Sequence, residues 1–215
     1  MSIMNGKTGR YQSRPQPRRD ARALLGENRR DKARRNPALE PPRSPRYSRS
    51  VQVEVRQIPT AASYPLRHAV LRPQQDIEAV EWEGDEDPGT ATFGAVEDAN
   101  GTIVGVATVL RESAPFEPVV AGLSGETGVE SVTWRLRGMA TRADLRSRGI
   151  GSNVLEAVVE HVAAEGGLLL WCNARVSAIG FYERAGFRTW GDEFVVTSIG
   201  PHVVMWRRVD PERVK

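Results

Sequence analysis

The chain has 215 residues, with 30 Lys and Arg against 27 Asp and Glu and a single cysteine, Cys172. That length suits one domain of ordinary size with an extension. The lone cysteine excludes an intramolecular disulfide, and no stretch approaches the ~20 consecutive apolar residues of a membrane-spanning helix. The net charge of +3 conceals a division, because residues 1–50 carry +10 and residues 51–215 carry −7.

Residues 1–50 hold six prolines and 14 Lys and Arg among few large apolar side chains. Such a segment buries too little surface to offset the entropy of ordering, so it is expected to be a disordered basic tail. Residues 21–35 have helix-forming composition and suit transient folding on nucleic acid or another acidic surface. The alternative is a solvated tail with no specific partner. No apolar core of a leader peptide follows Met1, so the default expectation is a cytoplasmic protein with no membrane partner.

The folded part is expected to span residues 51–215. Residues 51–55 alternate apolar and polar side chains as a half-buried strand does, and residues 61–71 read as a short helix. Residues 76–89 are acidic around Trp82 and end in Pro88-Gly89, which reads as an exposed helix and loop, either simply solvated or able to draw a cationic substrate. Residues 91–96 and 102–110 are β-rich runs joined across Asn100-Gly101, a pair that tolerates positive φ and favours a hairpin. A Gly, Pro and Ser-rich loop is expected over residues 111–130. Residues 131–141 then read as extended, with Trp134 and Leu136 on one face and Arg135, Arg137 and Met139 on the other.

The run Arg146-Ser147-Arg148-Gly149-Ile150-Gly151-Ser152 follows. Glycines without a Cβ let the backbone approach a ligand closely, and the amides that open a helix have no intrahelical acceptor, so they attract an anion. Arg146 and Arg148 add charge-assisted donors suited to phosphate. Beyond this cradle, Val154, Leu155, Val158 and Val162 recur at helical spacing, and Gly166-Gly167 ends the helix. Residues 168–172 form a continuously apolar strand of the kind covered on both faces, and residues 173–175 are read as leaving it. A helix over 177–185 and strands over 187–197 and 202–209 complete a mixed α/β sheet.

With these elements in order, the cradle resembles the Gln/Arg-x-x-Gly-x-Gly/Ala signature of the GNAT superfamily of acyl-CoA-dependent N-acyltransferases. A second match, Asn173, Ser177, Phe181-Tyr182-Glu183 and Gly186-Phe187, resembles the closing helix of that family and its landmarks. The likeness spans residues 51–209. It implies a mostly antiparallel central sheet flanked by helices, with a splayed parallel pair where CoA sits. It implies acetyl-CoA as co-substrate, with the backbone of Met139, Ala140 and Thr141 pairing with the pantetheine arm and Asn173 touching that arm. The cradle, from Arg146 through Ser147, Arg148, Gly149, Ile150 and Gly151 to Ser152, would hold the pyrophosphate. Tyr182 would stand near the thioester sulfur as general acid.

The reaction so implied is direct attack of a primary amine on the thioester. Many relatives carry a glutamate as base on the strand before the cradle, whereas this strand offers only Arg135 and Arg137. The base is therefore left to Glu193, His202 or water. Arg67, His68 and Arg175, with His202, are polar groups suited to an acceptor pocket, and guanidinium groups there suit a carboxylate or phosphate on the acceptor. An acyl-cysteine route through Cys172 is disfavoured, since a lone cysteine in an apolar strand behaves as a small hydrophobe. His68, His161 and His202 lack metal-ligand spacing, and no metal is expected. The alternative function is an acyl-CoA-binding sensor or scaffold whose tail contacts a polyanion, and a homodimer is left open.

Overall fold

The computed structural model describes residues 52–117 and 132–211. The expected disordered tail, residues 1–50, and most of the expected loop at 111–130 lie outside the described residues. Strands β1 (Val53–Ile58), β2 (Ala91–Glu97), β3 (Ile103–Arg111), β4 (Thr133–Thr141), β5 (Leu169–Arg175), β6 (Arg188–Val196) and β7 (Gly200–Arg208) form one sheet in the order β1-β2-β3-β4-β5-β7-β6. Helices α1 (Tyr64–Leu71), α2 (Ile150–Ala164) and α3 (Ile179–Arg184) flank it. Every neighbouring pair is antiparallel except β4 and β5. The fold is thus the mixed, mostly antiparallel α/β sheet with one parallel pair that the sequence implies.

The β2–β3 hairpin closes across the expected turn, where Gly101 N–H donates to the Glu97 carbonyl at 2.9 Å. The apolar stripe of α2, Val154, Leu155, Val158 and Val162, packs on one sheet face with Val104, Ala107, Val109, Trp134 and Leu136. Each such buried Val or Leu contributes about 1.5–3 kcal/mol of transfer free energy. On the other face, Leu66 of α1 meets Ile58, Val96, Val106 and Ala140, and beside them Phe116, Trp171 and Trp206 form an aromatic cluster. The apolar run at the start of β5 serves both layers: Leu170 and Cys172 join the first core and Leu169 and Trp171 the aromatic one.

Pairing between β4 and β5 covers only Thr133↔Leu169, Trp134↔Leu170 and Arg135↔Trp171. Past that point β5 stays on β7, from Cys172↔Met205 to Arg175↔His202, while β4 stays on β3 to Gly105↔Thr141. The facing edges of β4 and β5 therefore part. Residues 173–175 remain strand, where the sequence suggests departure, because β7 supplies hydrogen bonds that local composition does not reveal.

A bulge in β4 helps open this splay. The β3 register shifts between Val106↔Ala140 and Thr108↔Arg137, and Gly138 takes φ +65°. A Cβ at Gly138 would lie 2.7 Å from Arg67 Nε, so only glycine fits both the dihedral and the space. Arg67 is fully buried. It donates to Asp85 Oδ2 at 2.6 Å, to the Val80 carbonyl at 3.1 Å and to the Thr108 hydroxyl, and its guanidinium stacks on the Trp82 ring. Asp85 also accepts from Arg137 Nη2 at 2.8 Å and from the Trp82 N–H at 3.1 Å. The acidic segment is therefore not wholly exposed. Glu78, Glu81, Glu83, Glu86 and Asp87 are solvated, but Asp85 turns inward as the counter-ion of two arginines.

Candidate active site

The chain leaves β4 at Thr141, makes a short turn of 3-10 helix (Ala143–Leu145), and then reverses through two left-handed residues, Ser147 at φ 62° and Gly149 at φ 83°. Gly149 caps α2 with no side-chain acceptor, and the first bond at that end is Asn153 N–H to the Gly149 carbonyl at 3.0 Å. The amides of Ile150, Gly151 and Ser152 thus head a 15-residue helix without intrahelical acceptors. The helix dipole adds partial positive charge at the same place. Arg146, Ser147, Arg148, Gly149 and Ser152 are exposed, whereas Ile150 anchors the turn in the core.

Gly151 brings this helix end close to the splay. A Cβ there would lie 3.3 Å from Thr141 Oγ1, 3.4 Å from Met139 Cε and 3.5 Å from Phe181. The unpaired edge of β4 at Met139, Ala140 and Thr141 thus runs directly toward the free amides. A buried backbone edge needs hydrogen-bond partners, and an extended ligand inserted beside β4 would satisfy it as an added strand does.

Where the strands part, a cleft of about 700 Å³ opens through the sheet. Its lining includes Met139, Cys172, Asn173, Arg175, Tyr182 and His202. Tyr182, from α3, is buried between the rings of Phe181 and Phe187. Burial raises the pKa of its phenol well above the ordinary value, and the neighbouring Cys172, with which it shares a hydrogen bond, raises it further. Burial likewise pushes the Cys172 thiol up, so it stays protonated. A protonated, buried thiol is a poor nucleophile.

His202 is buried at the start of β7, and its Nδ1 lies 2.9 Å from the Gly200 carbonyl. A carbonyl only accepts, so Nδ1 carries the hydrogen, and of the two ring nitrogens Nε2 is the one able to accept a proton.

Free amides at the head of α2 and a parallel pair that splays beside a cleft set the expectation that comparison with known proteins meets. The profile of the Acetyltransferase (GNAT) family matches residues 54–187. The chain is also 33% identical over 162 residues to the uncharacterized N-acetyltransferase YitI of Bacillus subtilis (strain 168), covering 75% of this chain and 99% of that protein. The chain belongs to the GNAT acetyltransferase family. It is an acyl-CoA-dependent N-acyltransferase. Solved structures share the fold at low identity. An aminoglycoside 6'-N-acetyltransferase complexed with coenzyme A aligns at TM-score 0.54 with 15% identity, covering 73% of this chain and 97% of that one. The ribosomal-protein-S18-alanine N-acetyltransferase of Escherichia coli aligns at 0.55 with 15% identity, covering 74% and 95%.

Within this GNAT frame the residues singled out from sequence divide into two groups. Tyr182, His202, Arg175, Asn173 and Met139 meet on one cleft; Ala140, Thr141 and Arg146 to Ser152 are not among its lining residues, though Gly151 lies beside Met139 and Thr141. Arg67, His68 and Glu193 are not among the lining residues. Arg67 lies behind the wall in the ion-pair cluster. His68 Nε2 is 2.6 Å from the Gln75 carbonyl, where it ties α1 to the following turn. Glu193 is exposed on β6, in the irregular stretch between Trp190 and Phe194.

Among the other lining residues, Arg72 is not singled out by sequence reading, whereas the acidic segment around Trp82 and the two β4 arginines are noted there. Arg72 follows the last turn of α1, and Trp82, Glu83 and Asp87 come from the acidic segment. Arg135 and Arg137 line the cleft from β4, held by Glu112 at 2.7 Å and Asp85 at 2.8 Å. For Arg135 and Arg137 the signal is two arginines at alternate positions on the strand leading into the cradle. No pattern marks Arg72. The described residues contain no cluster of His, Cys, Asp or Glu able to hold a metal ion.

Proposed function

We propose that this GNAT enzyme transfers an acetyl group from acetyl-CoA to a primary amine by direct attack. The observation that carries the reading is the parting of β4 and β5 beyond Arg135 beside the unbonded amides that open α2. The co-substrate supplies an activated acyl thioester. The amides of Ile150, Gly151 and Ser152, with Arg146 and Arg148, bind its pyrophosphate. The β4 edge at Met139, Ala140 and Thr141 pairs with the amides of the pantetheine arm, and Asn173 contacts the arm from β5.

Tyr182 Oη holds a proton that burial keeps on the oxygen, available for donation to a departing sulfur. His202 Nε2 takes a proton from the amine, directly or through water. That role favours His202 over Glu193, which is exposed and away from the cleft lining. Attack is direct because Cys172 stays protonated. Residues 1–50 form a basic appendage to a catalytic domain at 51–215.

The test is release of free thiol from acetyl-CoA with a panel of primary amines, in the wild-type chain and in Gly151→Trp. The reading requires amine-dependent release that the variant loses, since the indole fills the gap between α2, Met139 and Thr141. Equal release by both proteins, or none from any amine, would falsify it.

A further inference from the structure

Two arginines meet at one point of the cleft. Arg72, at the C-terminal cap of α1, donates from Nη1 to the Leu71 carbonyl at 3.0 Å, and Arg175, the last residue of β5, donates from Nη2 to the same oxygen at 2.9 Å. Two guanidinium groups are thereby drawn together on one carbonyl, and both line the cleft. Burial, and then the charge of Arg175, lower the pKa of Arg72. The other cleft-lining arginines each have a carboxylate: Arg135 has Glu112 and Arg137 has Asp85. Among the described residues no carboxylate pairs with Arg72 or Arg175.

Like charges held side by side repel unless an anion bridges them. A guanidinium donates five N–H groups in a planar fork, and each of these arginines spends one on Leu71. The remainder suit the two oxygens of a carboxylate. The same cleft also presents the exposed carboxylates Glu83 and Asp87, a setting that attracts an ammonium group and opposes a dianion such as phosphate.

The geometry points to an acceptor that is an amine bearing a carboxylate, an amino-acid-like molecule whose carboxylate is clasped by Arg72 and Arg175 and whose amine is turned toward His202. His202 is the register partner of Arg175 on β7, so the anion clasp and the proton acceptor share one cross-strand position. The inference rests on the acetyl-transfer reading above and narrows its acceptor class.

Two measurements on the full-length protein test it. The first is thermal stabilisation by a panel of amino acids, each paired with its carboxamide and with the amine lacking the carboxyl group. The second is thiol release from acetyl-CoA with the same pairs. The expected result is that at least one acid stabilises the protein and is acetylated in preference to its amide, and that Arg72→Gln and Arg175→Gln each cut this preference by roughly tenfold to a hundredfold. Preferential stabilisation without thiol release would support the clasp and overturn the transfer reading. Thiol release that ignores the carboxylate, or a preference that both variants retain, would overturn the clasp and leave the transfer reading standing. No stabilisation by any carboxylate-bearing amine would also overturn the clasp.

Discussion

Arg67 Nε lies 2.7 Å from the point where a Cβ on Gly138 would fall, so the bulge that opens the active site is moulded onto a buried guanidinium. The two residues come from α1 and β4, and Asp85 locks them by pairing with Arg67 and Arg137 together. The cleft wall thus depends on a buried ion-pair cluster. Gly138→Ala meets both a left-handed dihedral and a steric clash, and should destabilise the fold by about 2–4 kcal/mol. Chemical denaturation checks this, with turnover expected to fall even where the variant remains folded.

Asp85→Asn removes the charge that compensates two arginines. Breaking a buried pair from one side costs about 3–5 kcal/mol. The loss should exceed that of Glu83→Gln, whose side chain is exposed, in parallel denaturation curves.

Tyr182→Phe keeps the ring contacts to Phe181 and Phe187 and deletes the proton held at Oη. Because a positioned acid contributes on the order of 100-fold or more, kcat should drop by at least that factor while the KM for acetyl-CoA changes little. A kcat within twofold of wild type would remove Tyr182 from the mechanism.

Cys172 and Tyr182 also set an alkaline limit to stability. Burial raises both folded-state pKa values, so the folded chain keeps protons that the unfolded chain sheds. Their stabilising contribution is complete below the unfolded thiol pKa of about 8.5 and is lost as pH rises beyond it, by about 1.4 kcal/mol per pH unit from the thiol. Melting temperature measured from pH 7 to 10 should fall over that window, and less steeply in Cys172→Ala. In the native state the thiol should resist alkylation.

Removing residues 1–50, which carry a charge of +10, should leave kcat/KM for acetyl-CoA within about twofold and abolish any salt-sensitive binding to nucleic acid. Filter binding across a salt series, alongside the thiol assay, separates the two effects.

The cradle and the strands beside it were legible in the sequence because their signals are local: two glycines and two arginines between an extended run and a helical stripe. The hairpin at Asn100-Gly101 is local in the same sense. The insertion of β7 between β5 and β6 was not legible, since strand order depends on which edges pair and both runs have ordinary strand composition. Asp85 reads as one more acid in a solvated loop, because its partners lie 18 and 52 residues away and burial is a property of the assembled core. Arg67 misleads in the opposite direction. A cation beside a histidine in a distinctive segment suggests a pocket, whereas the fold puts it behind the wall and leaves Arg72, five residues later at the far end of α1, lining the cleft. Arg175 was within reach of sequence because it follows Asn173 on the strand that borders the site.

The most direct measurement is a crystal structure of the protein with coenzyme A. The account predicts phosphate oxygens within hydrogen-bond distance of the Ile150, Gly151 and Ser152 amides, and pantetheine amides paired with the β4 edge at residues 139–141. Coenzyme A seated elsewhere, with its phosphates away from the α2 amides and the β4 edge unengaged, would contradict it.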